Sequence, residues 1–226
     1  MSPGASVFLV VIWRQIGRQL EAGGGTGFFI APDGTALTAS HVVQRARTDR
    51  TYHIAAIIGR EIYSAILVCA SELPRDTGTI AGSEDDTRDV AEIRVMANGP
   101  GSLSDLTYGG RPYATAHRGP VPQFPFLTIA APQDGEDVRA FGFGHLSAAP
   151  MPYPWSASGT VERIFVFRDG TQGVEVRYSI PTEPGHSGSP VLNARGEVIG
   201  MHVSHSTEDR HLGTAIGSAA LNPACP

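Results

Sequence analysis

The sequence predicts an all-β fold in two lobes. Short strand-like runs recur along almost the whole chain, turn-forming triplets separate them, and a mid-chain stretch, residues 98–125, is rich in Gly, Pro, Ser and Thr without periodicity. Before that stretch the strand-like runs are 7–12, 27–30, 36–38, 54–58, 64–68 and 89–95. After it come 126–129, 138–142, 159–167, 173–180, 190–192, 198–202 and 213–216. Pro32-Asp33-Gly34, Arg168-Asp169-Gly170 and Ala194-Arg195-Gly196 are turn signals, because Pro presets φ, Asp bonds its own backbone and Gly tolerates a positive φ. Helix is expected only over 14–22 and just after His41. Residues 98–125 read as a long loop plus an inter-lobe linker.

Length and composition set bounds. The chain has 226 residues, 41% hydrophobic and 17% charged, enough apolar side chain for a core and too little charge for a disordered chain. All 17 basic residues are arginine, and the net charge is −5, so no basic surface points to nucleic acid or an anionic membrane. The apolar run 7–13 is too short to span a bilayer and lacks the flanks of a secretion leader, so it reads as a first buried strand in a cytosolic chain. Of the two cysteines, Cys69 sits in an apolar run and reads as a small buried hydrophobe, Cys225 is next to last, and no disulfide framework is expected.

Three segments carry chemistry. In Gly185-His186-Ser187-Gly188-Ser189-Pro190 a serine lies between glycines. Such a turn leaves backbone N–H groups exposed, and those of Gly185 and Ser187 can converge on a developing oxyanion. The second segment, Gly25-Thr26-Gly27-Phe28-Phe29-Ile30 through Leu37-Thr38-Ala39-Ser40-His41, reads as a hairpin whose second strand delivers a histidine. A neutral imidazole is the natural base for a serine hydroxyl near pH 7. In the third, Asp89 opens the alternating run Asp89-Val90-Ala91-Glu92-Ile93-Arg94-Val95, where a carboxylate can fix the tautomer of His41.

Together, Thr-Ala-Ser-His41-Val-Val, Asp89-Val-Ala and Gly-His-Ser187-Gly-Ser-Pro resemble the three motifs of trypsin-like serine proteases, in the family's order and with similar spacing. The segments 132–138, 141–144 and 198–201 also resemble the family, and 213–216 is similar to the closing strand of bacterial high-temperature-requirement proteases. The resemblance implies one peptidase domain over 1–226, built as two six-stranded antiparallel β-barrels. An N-terminal lobe would cover 1–115 and a C-terminal lobe 116–226, with the active site in the cleft between them. It implies His41, Asp89 and Ser187 as the triad, Gly185 and Ser187 as the oxyanion hole, a protein or peptide substrate, and no cofactor.

The resemblance also bears on the P1 pocket. Trypsins proper carry an acid six positions before the nucleophile; here that residue is Pro181, which disfavours basic substrates. Thr182 and His202 match the pocket threonine and histidine of glutamyl endopeptidases, which implies cleavage after Glu or Asp, with small or aliphatic P1 residues as the alternative. Nothing marks the cut that frees the N-terminus of the secreted glutamyl enzymes. His202, His205 and His211 cluster in sequence, but no cysteine lies near and the intervening loop is polar, so no metal is expected. His186 is expected to line the cleft.

Two other readings compete. An α/β-hydrolase would need Gly where Ser189 stands and alternating helices. A catalytically silent binding module on the same fold would keep the motifs without turnover. The chain ends soon after its last strand-like run, so a bacterial protease domain with a regulatory domain or partner protein is expected.

Overall fold

Strand β1 (Val7–Ile16) is buried on both faces, which explains why it reads as a continuous apolar run. In the computed structural model, which describes residues 3–17, 19–71, 89–98, 103, 105–108, 111–144, 153–166, 172–205 and 212–221, its alternate residues enter two cores. Phe8, Val10 and Ile12 point into one cluster with Phe29, Ile93 and Val95. Leu9, Val11 and Trp13 join Ile57, Ile62, Leu103 and Ala114 on the other face. Burying each such side chain is worth roughly 1.5–3 kcal/mol.

The first barrel continues with β2 (Gln19–Phe29), β3 (Thr35–Thr38), helix α1 (Ser40–Thr48), β4 (His53–Ile58), β5 (Glu61–Ala70) and β6 (Ala91–Met96). Its order is β4-β1-β2-β3-β6-β5, closed by β4–β5 pairing. Closure leaves this sheet no free edge in the barrel itself. The second barrel uses β9 (Asp137–Phe143), β10 (Pro154–Val166), β11 (Gln172–Tyr178), β12 (Pro190–Asn193), β13 (Val198–His205) and β14 (Gly213–Gly217), closed in the order β10-β11-β14-β13-β12-β9. Its interior holds Val138, Ala140, Val176, Tyr178, Val191, Ile199 and Ala215. A further cluster joins the lobes: Phe28, Leu37 and Val90 from the first pack with Leu192, Met201 and Ile216 from the second.

Four expectations need correction. Residues 14–22 form no helix; they are the ends of β1 and β2 around Gly17, at φ +60°. Arg14 and Glu21, one helical stripe apart in sequence, are instead cross-strand partners joined at 2.7 Å. The stretch 98–125 is not only loop: it holds β7 (Asp105–Tyr108) and β8 (Arg111–Ala116), and β8 pairs parallel with β5. The run 126–129 is not a strand but a connection with one isolated bridge, Ile129 to Val198. Cys69 is disulfide-bonded, not a free buried thiol; the other cysteine, Cys225, lies outside the described residues. Among the described residues no helix is long and apolar enough to cross a membrane. The turn triplet at 168–170 and the site candidate His211 also lie outside them.

Candidate active site

His41 sits in the first turn of α1, directly after β3, so the short hairpin β2–β3 aims it. The N-cap position, Ala39, offers no side-chain acceptor to the helix's orphan N–H groups. Asp89 fills that role from the segment entering β6. Its Oδ1 accepts from the His41 backbone N–H at 2.8 Å and its Oδ2 from ring Nδ1 at 2.5 Å. One carboxylate thus caps the helix, favoured by the helix dipole, and fixes both ring position and tautomer. Asp89 is 8% exposed while the His41 side chain is 33% exposed, so the acid is sheltered and the base reaches solvent.

Ser187 lies on the turn before β12. Pro184 and Gly185 occupy the two central positions of a reverse turn closed by His186 N–H donating to Glu183 O at 3.1 Å. Gly185 has φ +100°, the pairing a type II turn requires. Gly188 follows at φ +89°, and its N–H donates to His202 O at 2.8 Å. The donors used within this loop are those of His186, Gly188 and Ser189, which leaves the Gly185 and Ser187 N–H groups outside its bonding. Two such amides are a candidate oxyanion site.

The lobes meet at this loop. Thr26 N–H on β2 donates to Ser187 O at 2.8 Å. A Cβ added at Gly25 would lie 2.7 Å from Val42 Cγ2 and 2.8 Å from Ser187 O, so glycine there lets the segment after His41 and the serine approach the same point. Among the described residues Ser187 Oγ makes no direct hydrogen bond to His41. Such bonds commonly tighten only once substrate is bound.

The other candidates separate. Pro181 is exposed. Thr182 is buried, and its Oγ1 has no partner among the described residues. His202 is buried on β13 and shares a 2.5 Å hydrogen bond between Nδ1 and the Tyr178 hydroxyl. Burial pushes the Tyr178 phenol well above its usual range, so it stays protonated. The Tyr178 ring lies where Gly213 would otherwise carry a Cβ, 2.6 Å from that position. His186 does not line the cleft: it is 1% exposed, stacks on Trp155 at 3.8 Å, and accepts Glu183 N–H at Nδ1. Burial lowers its pKa to about 4, so the ring is neutral at pH 7. Among the described residues no group of His, Cys, Asp and Glu is arranged to hold a metal ion.

Sequence reading missed Thr26, Tyr178 and Trp155. A threonine between two glycines was the available signal for Thr26; Tyr178 read as an ordinary strand aromatic, and Trp155 lay outside every strand-like run.

Known proteins are similar to this chain. The chain resembles mitochondrial serine protease HTRA2 of Bos taurus, 23% identical over 207 residues, which is 90% of this chain and 36% of that protein. It therefore spans about a third of that relative's length. Two solved structures share the fold. Rv3671c of M. tuberculosis H37Rv, in an inactive form, gives a TM-score of 0.62 at 17% identity, over 97% of this chain and 84% of that one. The serine endoprotease from Yersinia pestis gives 0.58 at 18% identity, over 96% and 60%. The model of the trypsin-like peptidase domain matches residues 25–201, which include all three triad candidates. The chain belongs to the trypsin-like peptidase domain family.

Proposed function

We propose that this trypsin-like domain is a serine protease that cleaves peptide bonds through an acyl-enzyme on Ser187, with a preference for Glu or Asp at P1. The carrying observation is the double grip of Asp89 on His41, at 2.8 Å on the backbone and 2.5 Å on the ring. It leaves Nε2 as the ring's basic atom. Nε2 takes the Ser187 hydroxyl proton as Oγ attacks the carbonyl carbon. The Gly185 and Ser187 N–H groups hold the oxyanion, His41 returns the proton to the leaving amine, and water resolves the ester.

The acidic preference is supported by the chemistry at Thr182 and His202. A buried hydroxyl without a partner costs about 1–3 kcal/mol, and a substrate carboxylate would satisfy it. His202 adds an imidazole, held at Nδ1 by a hydrogen bond shared with the Tyr178 hydroxyl, of a kind that can pair with a carboxylate. The bulk of Tyr178 against Gly213 favours the second reading, small or aliphatic P1 residues.

A diverse peptide library, digested by wild type, Ser187→Ala and His202→Val and mapped by mass spectrometry, tests both steps. Cuts after Glu that vanish in Ser187→Ala and His202→Val, with Ser187 of the latter still phosphonylated by a fluorophosphonate, are expected. Glu cleavage unchanged in His202→Val sinks the acidic pocket. Cuts after small residues instead support the second reading, and no cuts from wild type support a silent module.

Because the chain spans a third of its mitochondrial relative, we propose regulation by a further domain or a partner protein. Equal turnover by this chain and by its full open reading frame would sink that. The disulfide at Cys69 supports an oxidising compartment over the cytosol expected from sequence, which cell fractionation tests.

A further inference from the structure

Thr26 takes no part in the chemistry above, yet every polar group it carries is committed at the junction of the two barrels. It is fully buried on β2. Toward the second lobe its N–H donates to Ser187 O at 2.8 Å, and its Oγ1 donates to Gly185 O at 3.3 Å. The same Oγ1 accepts the N–H of Phe143, the last residue of β9, at 3.0 Å. Toward the first lobe its carbonyl accepts from the Thr38 hydroxyl at 2.7 Å. Thr38 ends β3, three residues before His41.

These bonds tie the strand that leads into His41 to the turn that carries Ser187, through Thr38 and Thr26. They also fasten the carbonyls of Gly185 and Ser187, the residues whose N–H groups face the oxyanion. Fixing two carbonyls of a short turn fixes the peptide planes around them. The surroundings admit no slack. An added Cβ at Gly188 would sit 2.0 Å from Thr26 O, and one at Gly142 would sit 3.0 Å from Thr26 Oγ1.

We infer that Thr26 is a positioning residue: its side chain and backbone together set the separation of His41 and Ser187 and hold the oxyanion turn in register. The inference rests on Ser187 being the nucleophile, but not on P1 preference. Its physical basis is that a misplacement of about 1 Å in a catalytic constellation can cost about a hundredfold in rate. The hydroxyl is the testable part, since valine keeps the shape and the N–H but removes the acceptor and donor.

The experiment is fluorophosphonate inactivation of wild type, Thr26→Val, Thr26→Ser and Thr38→Val, with Ser187→Ala as control, resolving kinact from KI. Melting curves establish folding. Thr26→Val is expected to lower kinact by roughly tenfold to a hundredfold with KI within about twofold, and Thr26→Ser to restore it. A folded Thr26→Val with wild-type kinact overturns the inference, as does a Thr26→Ser as slow as the valine variant. If Thr26→Val does not fold, Thr38→Val decides: a matching fall in kinact supports the clasp and an unchanged value overturns it. A wild type that is not labelled overturns the nucleophile assignment, and the clasp with it.

Discussion

The two lobes hold their shares of the proposed triad by opposite means. On the first, His41 is gripped by a side chain: Asp89 bonds its backbone and its ring, and both contacts depend on one carboxylate. On the second, Ser187 is held by main chain: a turn with two positive-φ glycines, a strand bond from Gly188 to His202, and Thr26 from across the cleft. A side-chain grip can be broken chemically with little change of shape. A main-chain turn is broken by volume, because it depends on the absence of Cβ atoms.

Asp89→Asn breaks the first grip with the largest expected effect. The amide keeps the volume but favours the wrong ring tautomer, and kcat should fall about 10⁴-fold. Steady-state turnover of the best library peptide measures it, and a loss under about tenfold would remove Asp89 from the triad.

Gly188→Ala breaks the second grip. The methyl group meets Thr26 O at 2.0 Å from a backbone at φ +89°. Fluorophosphonate labelling should slow by about 10²–10³-fold, as for loss of an oxyanion donor. The strain should destabilise the fold by about 1–3 kcal/mol, seen in urea melts. Wild-type labelling in this variant would show that the turn tolerates volume and that the contrast between the lobes is wrong.

His186 sharpens the comparison, because it is the titratable group inside the main-chain turn. Its Nδ1 accepts the Glu183 N–H, which a protonated ring cannot do. With a folded pKa near 4 against 6.5 ordinarily, the unfolded chain takes up this proton first as pH falls. The group's contribution is therefore complete above pH 6.5 and is lost between there and about 4. Its size is up to about 3 kcal/mol. Urea melts across that window should show the loss in wild type and a flatter profile in His186→Asn. Parallel profiles would remove His186 from the account.

What the sequence determined by itself is local. His41, Asp89 and Ser187 stood out as candidates because each lies in a short motif whose residues make its own turn or strand: small residues before the histidine, an alternating run after the aspartate, glycines around the serine. Most strands were legible for the same reason, since a half-buried strand writes its period of two into neighbouring positions.

What tertiary structure decided is everything set by partners far along the chain. Arg14 and Glu21 look like a helical stripe until antiparallel pairing sets them opposite one another. Residues 105–108 and 111–116 lack a period of their own and become strands by pairing with each other and, through Thr115 and Ala116, with the start of β5. Cys69 reads as an ordinary apolar residue because a disulfide leaves no mark on the residues around it. Thr26 is the extreme case: its side-chain and carbonyl partners lie 12, 117 and 159 residues away. No window of sequence holds them together; closure of two barrels against each other does.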